Sequence, residues 1–203
     1  RFLGINPHGL VPVLVDDGVV HVESNDILSY LDERYSAPQQ SHFFQPGSSL
    51  HNQAQALLNL EDSLHTALRL LTIRFGPLSV KSEKQIRDQE TNGIFDEKRD
   101  QELRWWRDKA ANGITDAEVR DVCREFRDTL SDLDQHLSSN NWLVGERISI
   151  VDICWFVNLQ RLLRLGYPLA YHENLMRYFN QLQARPAFRE DARHPGSWLG
   201  NCV

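Results

Sequence analysis

The chain has 203 residues, 22 Lys+Arg against 28 Asp+Glu, a formal net charge of −6, and 41% hydrophobic and 25% charged residues. That length is enough for one large or two small domains with a real core, and the composition excludes a disordered or fibrous chain. The acidic balance argues against a nucleic-acid binder, and no apolar run approaches the roughly 18 residues of a membrane span. Cys123, Cys154 and Cys202 form no CxxC pair. An odd count without such spacing points to a reducing compartment rather than a disulfide framework.

In chain order, the first pattern is a strand. Val11, Val13 and Val15 alternate, Asp17-Gly18 is a hairpin signal, and Val19-Val20-His21-Val22 returns. A lone two-stranded hairpin is marginal, so further strands or a covering helix are expected. The next segment predicts that helix, with Ser24 as N-cap and Ile27, Leu28, Leu31 and Tyr35 on one face. On the strand, His21 falls on the exposed face. Residues 38–50, with Pro38, Pro46 and Gly47, read as a linker.

Beyond it the periodicity is helical throughout. Leu57, Leu60, Leu64, Leu68 and Leu71 recur until Gly76-Pro77 stops the run. Residues 81–109 are highly charged and helix-compatible, with Trp105 and Trp106 as the main apolar content, and Asn112-Gly113 ends them. Thr115 and Glu118 predict a capping box, with Ile114 and Val119 as its staple. Val119, Val122, Phe126, Leu130, Leu133 and Leu137 then form the narrow seam of a helical bundle. The sharpest local pattern is Ile148-Ser149-Ile150-Val151-Asp152-Ile153. There Ser149 and Asp152 form a second capping box, opening a helix that is apolar nearly all round and ends at Gly166. A last amphipathic helix precedes Pro186. The expected fold is α+β but mostly α.

Three of these segments together resemble the glutathione transferase superfamily. Asn6-Pro-His-Gly-Leu-Val-Pro-Val-Leu14 followed by Glu23-Ser24 is similar to the second half of its thioredoxin-like domain. Trp142 to Asp152 is similar to its buried capping-box helix, and Ala184-Arg-Pro-Ala-Phe188 to its late helix. The charged stretch ending Gln101-Glu-Leu-Arg-Trp-Trp-Arg107 resembles, less specifically, bacterial β-etherase-type and reductive-dehalogenase-type members. The resemblance implies the C-terminal part of a thioredoxin-like domain over residues 1–37, a linker at 38–50, and an all-helical domain over 51–203.

It also implies a site. Val11-Pro12 would carry a cis peptide that turns the Val11 amide and carbonyl toward the cysteinyl backbone of glutathione, a form of strand addition. Ser24 and the first helix amides would hold the γ-glutamyl carboxylate, with Glu23 facing its ammonium group. Arg69, Phe75, Trp105 and Trp106 are candidate contacts for a hydrophobic or aromatic electrophile, in a pocket expected between the small domain and the early helices. Leu10 departs from the pattern, because family members often place a polar side chain there for the glycyl end of glutathione.

Each residue also has a plainer reading. Ser24 fits a simple N-cap, Val11 and Pro12 a strand end, and Trp105, Trp106, Arg69 and Phe75 the core or the surface. His8 fits a solvated loop residue. Ser149 and Asp152 are read as structural, Cys123 and Cys154 as small buried hydrophobes, and Cys202 as a tail residue. No metal site is expected. The family's thiol-activating residue, a Ser, Tyr or Cys, belongs to a segment that the resemblance places before residue 1. The sequence is therefore expected to be part of a longer polypeptide, with the catalytic residue upstream, which leaves activity of this chain alone in question. The function implied is a cytoplasmic, homodimeric detoxification enzyme. It uses glutathione as co-substrate for conjugation, ether cleavage or dehalogenation, with no nucleic-acid or membrane partner. The alternative is a non-catalytic binding or interaction module on the same fold.

Overall fold

Val13–Asp16 (β1) and Val19–Val22 (β2) pair antiparallel, with Asp16 opposite Val19 and Val13 opposite Val22. Asp17 and Gly18 join them with φ of 48° and 79°. Positive φ at both central residues is the primed turn whose twist matches the strands, and Asp-Gly is suited to it. The computed structural model describes residues 2–6, 11–36, 44, 47–91 and 97–192. Among these the hairpin is the whole sheet. By contact density the chain divides into two units, Arg1–Phe43 with Ser79–Thr115, and Phe44–Leu78 with Asp116–Val203.

In the first unit, helix Ser24–Tyr35 (α1) covers both strands and buries Ile27. Three expectations are corrected here. The cap position belongs to Glu23, whose side chain makes no capping bond, so Ser24 is the first helical residue. Tyr35 is 62% exposed rather than on an apolar face. His21 is half-buried, stacked on Tyr30 with ring centroids 3.8 Å apart, rather than solvated. The strand pattern could not reveal that stack, because Tyr30 comes from the helix laid over it.

The charged stretch is two helices, Glu83–Thr91 (α4) and Glu97–Asn112 (α5), which contact each other. Ile86, Leu103 and Trp106 are their buried apolar residues. The Lys81 ammonium lies 4.5 Å over the Trp106 ring, and Trp105 meets that ring edge-on at 4.8 Å. Gly113, at φ 71°, follows the end of α5.

The second unit is helical: Ser49–Ser63 (α2), His65–Phe75 (α3), Asp116–Leu137 (α6), Ile150–Arg164 (α7), Glu173–Gln183 (α8) and Pro186–Ala192 (α9). The leucine run beginning at Leu57 is broken at Leu64, which ends α2 and starts α3. The break shifts the buried stripe. Ala54, Leu58 and Glu61 are buried in α2 while Leu60 is 37% exposed; beyond Leu64, Leu68 and Leu71 are buried as expected. Phe126, Leu130, Leu133 and Leu137 of α6 are buried, whereas Val119 and Val122 are only half-buried. Trp155 and Leu159 of α7 are fully enclosed, and Phe156 stacks on Phe179 of α8 at 5.0 Å. Gly166, at φ 78°, closes α7. Its amide donates to Leu163 O and the Tyr167 amide to Leu162 O, a Schellman end that frees the chain to turn.

At the start of α7 the Ser149–Asp152 capping box forms. The fully buried Asp152 does more than cap. Its Oδ2 accepts from the Ser149 amide (2.7 Å) and hydroxyl (2.9 Å), and its Oδ1 from the Leu143 amide (3.0 Å) and the Tyr178 hydroxyl (2.8 Å). One carboxylate thus ties the loop before α7, the α7 terminus and α8 together. Burial, with the Asp152 carboxylate beside it, raises the Tyr178 hydroxyl well above the usual tyrosine range and keeps it a donor.

Candidate glutathione site

The register of the hairpin sets the candidate site. Because Val13 faces Val22, the residues just outside that pair leave the sheet at the end opposite the Asp17-Gly18 turn. These are Val11-Pro12 on one strand and Glu23-Ser24 on the other. The Val11-Pro12 peptide is cis, and Val11 is 79% exposed. Glu23 and Ser24 are exposed at the N-terminus of α1, whose first internal bond runs from the Ile27 amide to Glu23 O at 3.0 Å. The amides of Ser24, Asn25 and Asp26 therefore precede the helical ladder, at the positive end of the helix dipole.

Glu23 holds φ 66°, ψ 123°. A non-glycine residue with positive φ stores about 1–3 kcal/mol of strain and persists where its surroundings over-determine it. Here the end of β2 and the start of α1 fix both neighbours of Glu23. The strained residue therefore sits beside the exposed hydroxyl of Ser24 and the exposed Val11.

A second set of contacts locks α1 onto the hairpin. Asp16 Oδ2 accepts from the Tyr30 hydroxyl at 2.7 Å and the Tyr35 hydroxyl at 2.6 Å. Those hydrogen bonds, Tyr35 first, lower the Asp16 carboxyl below its usual range and raise both phenols. His21 Nε2 is buried without a hydrogen-bond partner among the described residues, beneath the Tyr30 ring it stacks on. Sequence reasoning missed Asp16, Tyr30 and this use of Tyr35. The available signal was an acid just before the turn and two tyrosines on the helix that follows.

The other candidates fall in both units. Arg69 and Phe75 lie on α3 in the second unit, half-buried and 57% exposed respectively; Trp105 and the buried Trp106 lie on α5 in the first. The Trp106 indole donates to Glu102 at 3.3 Å. His8, Leu10 and Cys202 lie outside the described residues. Cys123 and Cys154 are half-buried rather than fully enclosed, and burial raises both thiols, Cys154 to about 12. A thiol held there is protonated at neutral pH and is no nucleophile.

Glu61, Asp62 and His65 bring ligand-type atoms within 4.8 Å of one another. His65 Nε2 lies 2.9 Å from the buried Glu61 carboxylate, and that bond raises the imidazole above its ordinary value. The arrangement is an imidazole–carboxylate pair across the α2–α3 junction, with the His65 side chain 47% exposed.

The glutathione S-transferase N-terminal domain family matches residues 1–39, and the glutathione S-transferase C-terminal domain family matches residues 116–190, together more than half of the chain. The chain belongs to the glutathione S-transferase family. It is 25% identical over 192 residues to a probable maleylacetoacetate isomerase of Vibrio cholerae, covering 95% of this chain and 75% of that protein. The crystal structure of the β-etherase LigF from Sphingobium sp. strain SYK-6 superposes with a TM-score of 0.74 at 23% identity, over 95% of this chain and 81% of that one. A sphingomonad glutathione S-transferase complexed with glutathione superposes at 0.67 with 21% identity, over 97% and 79%. These structures establish the glutathione S-transferase fold, in which the hairpin and α1 belong to the N-terminal domain and α6 to α9 to the C-terminal one. No helix among the described residues is long and apolar enough to cross a membrane.

Proposed function

We propose that this family member binds glutathione at the end of the hairpin and directs its thiolate at a hydrophobic or aromatic electrophile. The observation that carries the reading is the Val13–Val22 register, which sends the exposed Val11 and the α1 terminus out at one end of the hairpin. In this reading the Val11 amide and carbonyl pair with the cysteinyl backbone of the tripeptide, as an added strand would. The Ser24 hydroxyl and the first α1 amides hold the γ-glutamyl carboxylate, and Glu23 faces its ammonium group.

With the tripeptide held at both points, the sulfur is delivered as one reactant of a bimolecular step already oriented. A thiol with a pKa of about 8.5 is only a few per cent ionised at neutral pH, so the reaction needs a group that stabilises the thiolate. The proposal assigns that role to no residue of these 203. The thiolate forms a carbon–sulfur bond as the bond to a halide or ether oxygen breaks, and the leaving group departs with the electron pair. Arg69, Phe75, Trp105 and Trp106 are retained as proposed acceptor contacts, with Phe75 the most exposed of them. The same reading carries a homodimer, a cytoplasmic setting and a detoxification role.

The test is retention of the full-length protein on immobilised glutathione, followed by conjugation of chlorodinitrobenzene. Retention with turnover is the expected result. Retention without turnover favours the non-catalytic binding module, and absence of retention contradicts the glutathione reading itself.

A further inference from the structure

The first unit carries a groove of about 350 Å³ between α4 and α5. Its floor is the buried Ile86 of α4 with Ala110 and Ala111 of α5. The space exists because α5 turns two exposed methyl groups to that side, where longer side chains would fill it. Pockets for small organic molecules span about 300–1,000 Å³, so this one suits a ligand of amino-acid size and not a large cofactor.

The rim carries both signs. Glu83, Arg87 and Glu90 follow one another on one face of α4, and Arg107 stands one turn before Ala110 and Ala111 on α5. Arg87 Nη1 lies 3.1 Å from Glu83 Oε2, and Arg107 pairs with Glu90 from helix to helix. The four have no other ion pair among the described residues. Solvent-accessible pairs of this kind contribute little net stability, so a ligand can displace them. The sign balance then decides which ligand. An anion that draws Arg107 away strands the Glu90 carboxylate beside itself, and a cation that draws Glu90 away strands the guanidinium. A ligand with both charges replaces the whole pair and leaves no charge unmatched. The stranded charge is a penalty only its singly charged relatives meet, and that penalty is the source of specificity.

We propose that this groove binds a free α-amino acid with an apolar side chain of medium size, such as phenylalanine or leucine. The amino acid enters the Arg107–Glu90 pair. Its carboxylate accepts two parallel hydrogen bonds from the Arg107 fork, and its ammonium donates to Glu90. Its side chain lies over Ile86 and Ala110, while the Glu83–Arg87 pair borders the groove without adding net charge. None of the lining residues is a proposed glutathione or acceptor contact, so the site does not depend on the glutathione reading.

The test is amide-resolved NMR of the full-length protein, without glutathione, titrated with phenylalanine, with phenethylamine and with 3-phenylpropionate. Phenylalanine should shift the Ile86, Ala110 and Ala111 amides along one saturable curve, at least about tenfold more tightly than either singly charged analogue. Ala110→Leu fills the floor with a good helix former, so α5 should persist while phenylalanine affinity falls at least about tenfold. Arg107→Gln should weaken phenylalanine about tenfold yet strengthen phenethylamine, because Glu90 is then released from its partner. Equal affinity for the three ligands in the wild type overturns the inference. So does phenylalanine binding undiminished by Ala110→Leu, or the absence of a saturable shift at tens of millimolar. Shifts confined to the Ser24 and Asn25 amides would place the amino acid at the end of the hairpin and overturn it equally.

Discussion

Val13 lies directly opposite Val22 in the hairpin, and Pro12 and Glu23 are the residues immediately outside that pair. Neighbouring strands run about 4.7–4.9 Å apart. An extended backbone ending in a carboxylate can therefore contact the Val11 edge and the start of α1 together. This is why the glutathione proposal rests on register rather than on any single side chain.

Ser24 carries the first prediction. It is the first residue of α1 and not its cap, so Ser24→Ala should leave the melting temperature nearly unchanged. A hydrogen bond to a charged group is worth about 1.5–3 kcal/mol, so glutathione affinity should fall roughly 10- to 100-fold. Calorimetry and thermal denaturation on the same samples separate the two effects.

Glu23 makes a sharper test because strain and binding oppose each other there. Glu23→Gly removes the positive-φ penalty of about 1–3 kcal/mol and gives back about 0.4–1 kcal/mol of unfolded-state entropy. The variant should unfold at equal or higher denaturant while binding glutathione more weakly. Glu23→Ala should lose affinity with no such gain in stability.

Asp152 is expected to act on folding through its four buried hydrogen bonds. Asp152→Ala leaves the Leu143 and Ser149 amides and the Ser149 and Tyr178 hydroxyls without their buried acceptor. The expected loss is about 3–5 kcal/mol by urea unfolding, a large part of a typical domain's 5–15 kcal/mol. Protein that remains folded should keep its affinity for glutathione.

His65 gives the fold a pH dependence. Its hydrogen bond to Glu61, with Asp62 nearby, raises the imidazole against the opposing influence of burial and Arg161. A raised folded pKa stabilises fully below the unfolded value of about 6.5, and that contribution is lost as pH rises through the folded value. Stability should therefore decline from pH 6 to pH 9 more steeply in the wild type than in His65→Gln. The side chain is 47% exposed, so the difference should be a fraction of a kcal/mol. Denaturant titrations at three pH values measure it.

Much of this was legible in the sequence because the signals were local. Asp17-Gly18, Ser149-x-x-Asp152 and Gly166 each determine backbone geometry within a few residues, and each adopts the expected form. What escaped came from contacts between distant segments. Nothing near Asp152 announces Tyr178, and nothing near His21 announces Tyr30. The break at Leu64 rotates the buried stripe toward Leu58, which periodicity extrapolated through one uninterrupted helix cannot follow. Gly76, read only as a stop, is also a close approach: a Cβ there would lie 2.6 Å from Thr72 O and 2.9 Å from Leu165. In the site, the resemblance supplied Val11, Pro12, Glu23 and Ser24, while the Asp16 anchor depends on a helix crossing over the strands.

The most direct test of the glutathione site is amide-resolved NMR of the full-length protein titrated with glutathione. The Val11, Ser24 and Asn25 amides should shift together along one saturable curve, and Ser24→Ala should weaken the affinity read at the other two. Saturable binding that leaves those three amides unmoved would contradict a glutathione site at the end of the hairpin.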